Sequence, residues 1–129
     1  MSEVAAVEFA VEVLGIRHII ICGHSRCGTM EALVGGVEFI ESPALREWVG
    51  FAADALTGLP GRAASRMELI TQVSQRNVLL QLENLRTHRC VAEGVSLGRL
   101  QLHGWFYRFE TGNVLRYDGR QRNFVPLVG

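Results

Sequence analysis

The sequence has no excess of charge, few cysteines and no long apolar run, and each absence excludes a class of protein. Its 13 basic and 13 acidic residues cancel, which argues against binding to nucleic acid or to an anionic membrane. No stretch approaches the roughly 20 apolar residues that span a bilayer, and the first residues lack a secretory signal pattern. Three cysteines form no regular disulfide framework and favour a reducing compartment. We expect a cytoplasmic protein without a membrane span.

The length indicates a single domain. The chain of 129 residues is long enough for one core that buries roughly two-thirds of the surface of the unfolded chain. Neither an internal repeat nor a low-complexity segment divides the sequence. We therefore expect residues 1–129 to form one domain.

The predicted fold is centred on residues 16–28, Ile-Arg-His-Ile-Ile-Ile-Cys-Gly-His-Ser-Arg-Cys-Gly. The three consecutive isoleucines, Ile19–Ile21, are typical of a strand that is buried on both faces of a parallel sheet. A glycine ends this strand and a second glycine precedes a short helix, so a tight turn holds His24 and Cys27. Open α/β sheets bind ligands where the end of a strand leads into a helix. The turn is therefore the first candidate for a functional site.

Periodicity and turn residues predict four helices and three strands. In chain order the first elements are an N-terminal helix that ends at Gly15, a strand over Arg17–Cys22, a helix over Thr29–Val34, and a helix from Ser42-Pro43 towards Gly58. After a break at 59–61, a long helix begins at the capping box of Ser65 and Glu68 and ends near residues 87–90. The last elements are a strand over Arg99–Phe109 and a strand over Val114–Tyr117, joined by the turn Thr111-Gly112-Asn113. We expect an α/β fold with a small mixed, mainly parallel sheet flanked by helices. Three strands make a thin sheet, and the isoleucine strand is too apolar for an exposed edge. Either another chain covers this edge, or the fold includes strands that these residues do not supply.

The spacing of His24 and Cys27 allows a metal site, because zinc prefers imidazole and thiolate ligands. A His-x-x-Cys pattern lets two side chains reach one ion, although two ligands do not complete a site. Cys22 would extend the pattern to Cys-x-His-x-x-Cys, but a cysteine in an isoleucine-rich strand is better explained as a core residue. The pattern alone leaves two interpretations open, a metal-binding turn or a packed histidine beside a small buried cysteine.

The same turn also allows a hydrolase interpretation. Gly-His-Ser-Arg-Cys between a strand and a helix is close to the nucleophile elbow Gly-x-Ser-x-Gly, with Ser25 as the nucleophile. The last glycine of that pattern is Cys27 here, and only His88 and His103 could complete a triad downstream. His88 falls at a helix end and His103 in a strand, where surface and structural roles are usual. A thiol nucleophile, Cys27 activated by His24, lacks a third residue to orient it.

Three blocks of the sequence resemble the β-class carbonic anhydrases. They are Ala6–Val11 continued by Leu14–Met30, Asn77–Leu85, and Leu102–Tyr107 with Thr111-Gly112. The blocks follow the order of the family and span nearly all of the chain. The resemblance implies a zinc enzyme that interconverts carbon dioxide and bicarbonate as a homodimer or larger homo-oligomer. It also implies that His24 and Cys27 are two of the three protein zinc ligands and that Gly28 binds the substrate, with Cys22 in the core and Ser25 not a nucleophile.

One motif of the family is absent from these residues. The third zinc ligand of the family is the cysteine of a Cys-x-Asp-Ser-Arg motif on an earlier strand, whose Asp and Arg help to arrange the reactive water. No such motif occurs in the 129 residues. The chain therefore resembles the C-terminal half to two-thirds of such an enzyme, an incomplete β-carbonic-anhydrase-like fold that lacks the N-terminal arm and the first strands.

Weak zinc binding and negligible hydration activity are expected from an incomplete site, and no catalytic residue is assigned within the chain. Cys22, Cys90 or another chain are the candidate sources of a third ligand. The alternative function is that of a non-catalytic relative, which keeps the scaffold for oligomerisation or partner binding. A hydrolase that uses Ser25, such as an esterase, is the least favoured of the three functions.

Overall fold

The computed structural model describes residues 2–59 and 62–127, except for the side chain of Ser2. Within these residues it contains the helices α1 (Ser2–Glu8, continued by a π-helical segment over Phe9–Val13), α2 (Gly28–Gly35), α3 (Pro43–Gly50), α4 (Arg66–Arg86) and α5 (Arg89–Ser96), the strands β1 (His18–His24), β2 (Gln101–Tyr107), β3 (Val114–Asp118) and β4 (Asn123–Pro126), and 3₁₀ turns at Val37–Phe39 and Ala53–Leu56. The predicted break at 59–61 falls largely on residues 60 and 61, outside the described residues. None of the described helices is both long and apolar enough to cross a membrane.

The four strands form one mixed sheet in the order β1-β2-β3-β4. β1 and β2 pair in parallel, with His18 opposite Gln101 and His24 opposite Tyr107. β3 pairs antiparallel with β2, and β4 pairs antiparallel with β3. The predicted α/β fold with a small mixed sheet is confirmed. The expectation that parallel pairs dominate is wrong, because the short connections after β2 and β3 allow only antiparallel neighbours.

Helix α4 packs directly on β1 and β2 because each strand carries a glycine beneath it. A Cβ atom on Gly23 would lie 2.8 Å from the Val78 side chain, and one on Gly104 would lie 3.0 Å from the side chains of both Val78 and Leu82. On β2, Phe106 stands opposite Gly23 and is completely buried. The close approach of helix and sheet therefore places the end of β1 directly beneath α4.

Two predicted helix starts are confirmed by their N-caps. The Ser65 hydroxyl accepts the backbone N–H of Glu68 at 3.1 Å, and the Ser42 hydroxyl accepts that of Leu45 at 3.3 Å. Each bond satisfies one of the N–H groups that a helix start leaves free. The helix after Ser42 is shorter than predicted, since it ends at Gly50 and a separate 3₁₀ turn follows.

Neither α5 nor β4 is predicted from the sequence. α5 buries Cys90 and Val91. Because it begins soon after α4 ends, the boundary between the two helices is hard to detect in the sequence. β4 follows an Asp-Gly turn, in which the Asp118 carboxylate accepts the backbone N–H of Arg120 at 2.8 Å. Bonds from backbone N–H groups hold the pKa of the Asp118 carboxyl below its usual value. An Asp-Gly pair is a hairpin signal, so β4 could have been predicted.

Two apolar clusters form the core. The first groups Met30, Leu33, Val49, Ala55, Ile70 and Val73; the second groups Leu82, Leu85, Cys90, Val91 and Leu100. Ile19 and Ile21 pack against the second cluster, whereas Ile20 points to the opposite face and is 43% exposed. β1 is also an edge strand in the sheet of the described residues. The expectation that the isoleucine strand is buried on both faces is therefore wrong for the described residues, because one face is open and β1 lies at the edge of the sheet.

Candidate functional site

The turn from β1 to α2 holds both predicted metal ligands. His24 is the last residue of β1, and Cys27 is the N-cap of α2 with an extended backbone. The Cys27 carbonyl accepts the N–H of Glu31 at 2.9 Å, which fixes the start of the helix. Between the two ligands Arg26 has φ of 53°, a left-handed conformation that is uncommon for residues other than glycine. A sharply bent backbone thus brings His24 and Cys27 to the same end of the sheet.

The His24 imidazole is oriented through its Nδ1 atom. This nitrogen lies 2.8 Å from the carbonyl oxygen of Ser25, and because a carbonyl oxygen only accepts, Nδ1 carries the proton. In the neutral ring Nε2 then has the free lone pair. Histidines that bind metals usually donate their second ring N–H to a carbonyl or carboxylate in this way. The ring is therefore held in the tautomer that lets Nε2 bind a metal ion.

Cys27 supplies a second donor of the kind that zinc prefers. Its side chain is half-buried and packs against the core cluster that contains Met30 and Leu33. One imidazole nitrogen and one thiol match the chemistry of a zinc site. Over residues 2–59 and 62–127, however, no group of three or more His, Cys, Asp or Glu side chains could hold a metal ion. The residues of the turn therefore fit part of a zinc site and do not complete it.

Cys22 is exposed, so the prediction of a core position for it is wrong. Side chains alternate along a strand, and Ile21 and Gly23 take the side that faces the helices. Cys22 therefore points to the open face of the sheet. It does not join His24 and Cys27 in a metal-binding group within the described part of the chain.

Cys90 lies in a different part of the core from the turn. It is buried in α5 and belongs to the cluster of Leu82 and Val91, whereas Cys27 packs against the other cluster. Burial raises the pKa of the Cys90 thiol, and the nearby carboxylate of Glu12 adds to the effect. A protonated thiol in an apolar cluster is a packing residue. The structure does not support Cys90 as a third ligand within one chain.

The geometry around Ser25 does not support the hydrolase interpretation. Ser25 is only 3% exposed, and its hydroxyl accepts the backbone N–H of Phe109 at 2.9 Å. The two proposed bases are placed elsewhere: His103 lies 2.9 Å from His18, ring nitrogen to ring nitrogen, and His88 is the N-cap of α5. Neither histidine therefore lies beside Ser25 as the base that a catalytic triad needs.

Gly28, the predicted substrate-binding residue, is the first residue of α2. It is exposed, and a Cβ atom added to it would meet nothing within 4 Å. The position is open enough for a small molecule to approach. Its role in substrate binding stays a prediction.

A loop that is distant in sequence closes over the turn. The Ser25 N–H donates to the Tyr107 carbonyl at 2.9 Å, and the Ser25 hydroxyl accepts the Phe109 N–H at the same distance. Arg26 Nε lies 3.2 Å from Glu110 Oε1. The Ser25 hydroxyl, with a smaller contribution from Arg26, holds the pKa of the Glu110 carboxyl below its usual value. Sequence spacing does not reveal these partners, because only the parallel register of β1 and β2 brings them together.

The sequence is similar to known carbonic anhydrases along most of its length. A family model described as carbonic anhydrase matches residues 1–114. The carbonic anhydrase of Pseudomonas aeruginosa is 43% identical over 126 residues, a match that covers 96% of this chain and 57% of that protein. Carbonic anhydrase 1 of Escherichia coli O157:H7 is 38% identical over 132 residues, with coverage of 96% and 57%. The chain thus spans little more than half the length of these relatives.

Solved structures have the same fold. The β-carbonic anhydrase CcaA matches with a TM-score of 0.81 at 36% identity, over 98% of this chain and 63% of that one. A tetrameric β-carbonic anhydrase of Sordaria macrospora matches with a TM-score of 0.77 over 88% of this chain and 58% of that one; at 22% identity it shows likeness of fold alone. The chain belongs to the carbonic anhydrase family, and within it to the β class. The resemblance inferred from the sequence is confirmed.

Proposed function

We propose that this chain supplies the His24 and Cys27 ligands of the zinc site in a β-class carbonic anhydrase, which interconverts carbon dioxide and bicarbonate. The observation that carries the proposal is the bond from His24 Nδ1 to the Ser25 carbonyl, because it leaves Nε2 free in the same turn as a cysteine. Membership of the family supports the reaction. Zinc held there supplies Lewis-acid activation of water, which carbon dioxide hydration needs. The third protein ligand is the cysteine of a Cys-x-Asp-Ser-Arg motif, which these residues do not contain.

Zinc titration by calorimetry, in a buffer that does not bind metals, tests the two ligands. We expect the unmodified chain to bind up to one zinc ion at the turn, weakly because only two protein ligands are present. His24→Ala and Cys27→Ser each remove one donor atom. Each should weaken zinc binding by more than about tenfold, because even a change in a residue that only hydrogen-bonds to a metal ligand can weaken binding that much.

His88→Ala is the matched control for the histidine variant, because it deletes an imidazole at the start of α5. It should leave zinc binding unchanged. Equal zinc affinity in the unmodified chain, His24→Ala and Cys27→Ser would show that the turn is not a metal site. Loss of binding in the His88 variant as well would place the metal elsewhere.

We also propose that the chain assembles as a homodimer or larger homo-oligomer. Several large apolar side chains of the N-terminal helix and of β1 are exposed: Val4, Phe9, Val13, Leu14 and Ile20. Large exposed apolar patches mark protein–protein interfaces, and these side chains are the candidates for such an interface. The tetrameric relatives of Sordaria macrospora support assembly in this family.

Light scattering coupled to gel filtration, at micromolar chain concentration, should give at least twice the mass of one chain. Phe9→Ser combined with Leu14→Ser should shift the protein towards the monomer, since both side chains are exposed apolar groups of the N-terminal helix. Leu97→Ser, at an equally exposed leucine near the end of α5, is the control and should keep the assembly. A stable monomer of the unmodified chain would contradict the proposal.

A further inference from the structure

We infer that Ser25 is a positioning residue for His24, and that it acts by pinning the metal-binding turn to the loop Tyr107–Glu110. The inference rests on the proposed function in one respect, that His24 binds zinc. The contacts that carry it belong to the protein without metal, so part of its test is independent of zinc.

Three contacts connect His24, Ser25 and Phe109, one between each pair of residues. The His24 Nδ1–H donates to the Ser25 carbonyl at 2.8 Å. The hydroxyl of the same serine accepts the Phe109 N–H at 2.9 Å. The Phe109 ring in turn meets the His24 ring edge-on, with centroids 5.2 Å apart and planes at 63°. The serine whose carbonyl sets the tautomer of His24 is therefore hydrogen-bonded, through its hydroxyl, to Phe109, which also packs against the imidazole.

Ser25 is fixed through its main chain as well as its side chain. Its N–H donates to the Tyr107 carbonyl at 2.9 Å, and the Tyr107 ring packs edge-on against Phe109 at 5.1 Å. The next residue, Arg26, has the left-handed φ of 53°. A strained residue persists only where its surroundings hold it. With Ser25 anchored before it and the start of α2 after it, Arg26 keeps the bend that lets His24 and Cys27 share one end of the sheet.

The hydroxyl, and not burial alone, distinguishes Ser25. Alanine would fill nearly the same volume at this position, which is 3% exposed, but it would leave the Phe109 N–H without its partner. Ser74 is a second buried serine with which Ser25 can be compared. It is 4% exposed, and its hydroxyl has no hydrogen-bond partner among the described residues. A buried serine in this fold therefore need not bond to a loop, and the bond at Ser25 is specific to the turn.

The metal-free protein gives the first test, by long-range ¹H–¹⁵N NMR of the His24 ring. The unmodified chain should show the proton on Nδ1. Ser25→Ala should change this to a mixture of the two tautomers, because the loop then holds residue 25 only through the backbone bond to Tyr107 and no longer through the hydroxyl. Ser74→Ala, which deletes the same atom from another buried serine, should leave the His24 signals unchanged.

Zinc affinity gives the second test. Ser25→Ala should bind zinc roughly tenfold more weakly than the unmodified chain, at the low end of the range for lost partners of metal-binding histidines. Phe109→Ala is the second variant. Its side chain is 58% exposed, so the fold should tolerate the change, and it removes the ring contact with His24 while keeping the N–H. It should move the His24 tautomer in the same direction.

The outcomes separate the two proposals. Absence of zinc binding at the turn of the unmodified chain would refute the proposed function, and the tautomer measurement would still decide the role of Ser25. A folded Ser25→Ala protein with unchanged tautomer and unchanged zinc affinity would overturn the inference. If Ser25→Ala does not fold, the Phe109→Ala protein decides, and an unchanged His24 tautomer in it would overturn the inference equally.

Discussion

Joining these 129 residues to the N-terminal strands of a β-class relative that carries Cys-x-Asp-Ser-Arg should raise carbon dioxide hydration by orders of magnitude. The 129 residues alone should add little to the rate of the buffer. Under the proposed function, His24 and Cys27 would give zinc only two protein ligands, and these residues contain no Cys-x-Asp-Ser-Arg motif whose Asp and Arg could arrange the water. The added segment supplies both the third ligand and that pair. Stopped-flow measurement with a pH indicator follows the reaction, and zinc analysis gives the metal content of each protein.

Two variants of the joined protein show whether the gain depends on the site. Cys27→Ser, and replacement of the motif cysteine by serine, should each remove most of the activity and most of the bound zinc. Ser74→Ala deletes a buried hydroxyl that has no hydrogen-bond partner among the described residues, and it should remove neither. High activity from the 129 residues alone would mean that another group, such as Cys22 or a residue of a partner chain, completes the site. The account of a two-ligand site would then be wrong.

Local signals were sufficient to predict most of the fold. The caps at Ser42 and Ser65 and the hairpin turn at Thr111-Gly112-Asn113 act within a few residues, and each lies where expected. The apolar run of β1 also predicts a strand correctly, but the expected burial of its second face is wrong, since Ile20 is 43% exposed. Burial of Ile20 and Cys22 depends on what covers the open face of the sheet, and periodicity carries no information on that.

The site was predictable to the extent that it is local. The spacing of His24 and Cys27 and the resemblance to the family are enough to predict this turn as the candidate metal site. The contacts that hold the turn were not predictable, because Ser25 and Phe109 are 84 residues apart. They meet only through the parallel pairing of β1 and β2, in which His24 stands opposite Tyr107. Register is a property of the whole sheet, and one sequence does not reveal which strands will be neighbours.

Phe106→Ala should lower the free energy of unfolding by about 3–5 kcal/mol, a large part of the roughly 5–15 kcal/mol that stabilises a typical domain. The Phe106 side chain is completely buried and meets the Phe124 ring edge-on at 6.2 Å. Its neighbour on β1 is Gly23, which has no side chain to fill the cavity. Helix α4 is already in close contact with β1 at this glycine, because a Cβ atom added to Gly23 would lie 2.8 Å from the Val78 side chain. The cavity would therefore stay open, and urea unfolding followed by circular dichroism would measure its cost.

Phe51→Ala removes the same atoms from a side chain that is 77% exposed, and it should change stability by no more than about 0.5 kcal/mol. Phe106→Leu keeps most of the buried volume and should cost under about 1.5 kcal/mol. All variants are compared at one protein concentration, since assembly makes apparent stability depend on concentration. Similar losses for Phe51→Ala and Phe106→Ala would contradict this description of the core, and with it the packing that places the end of β1 beneath α4.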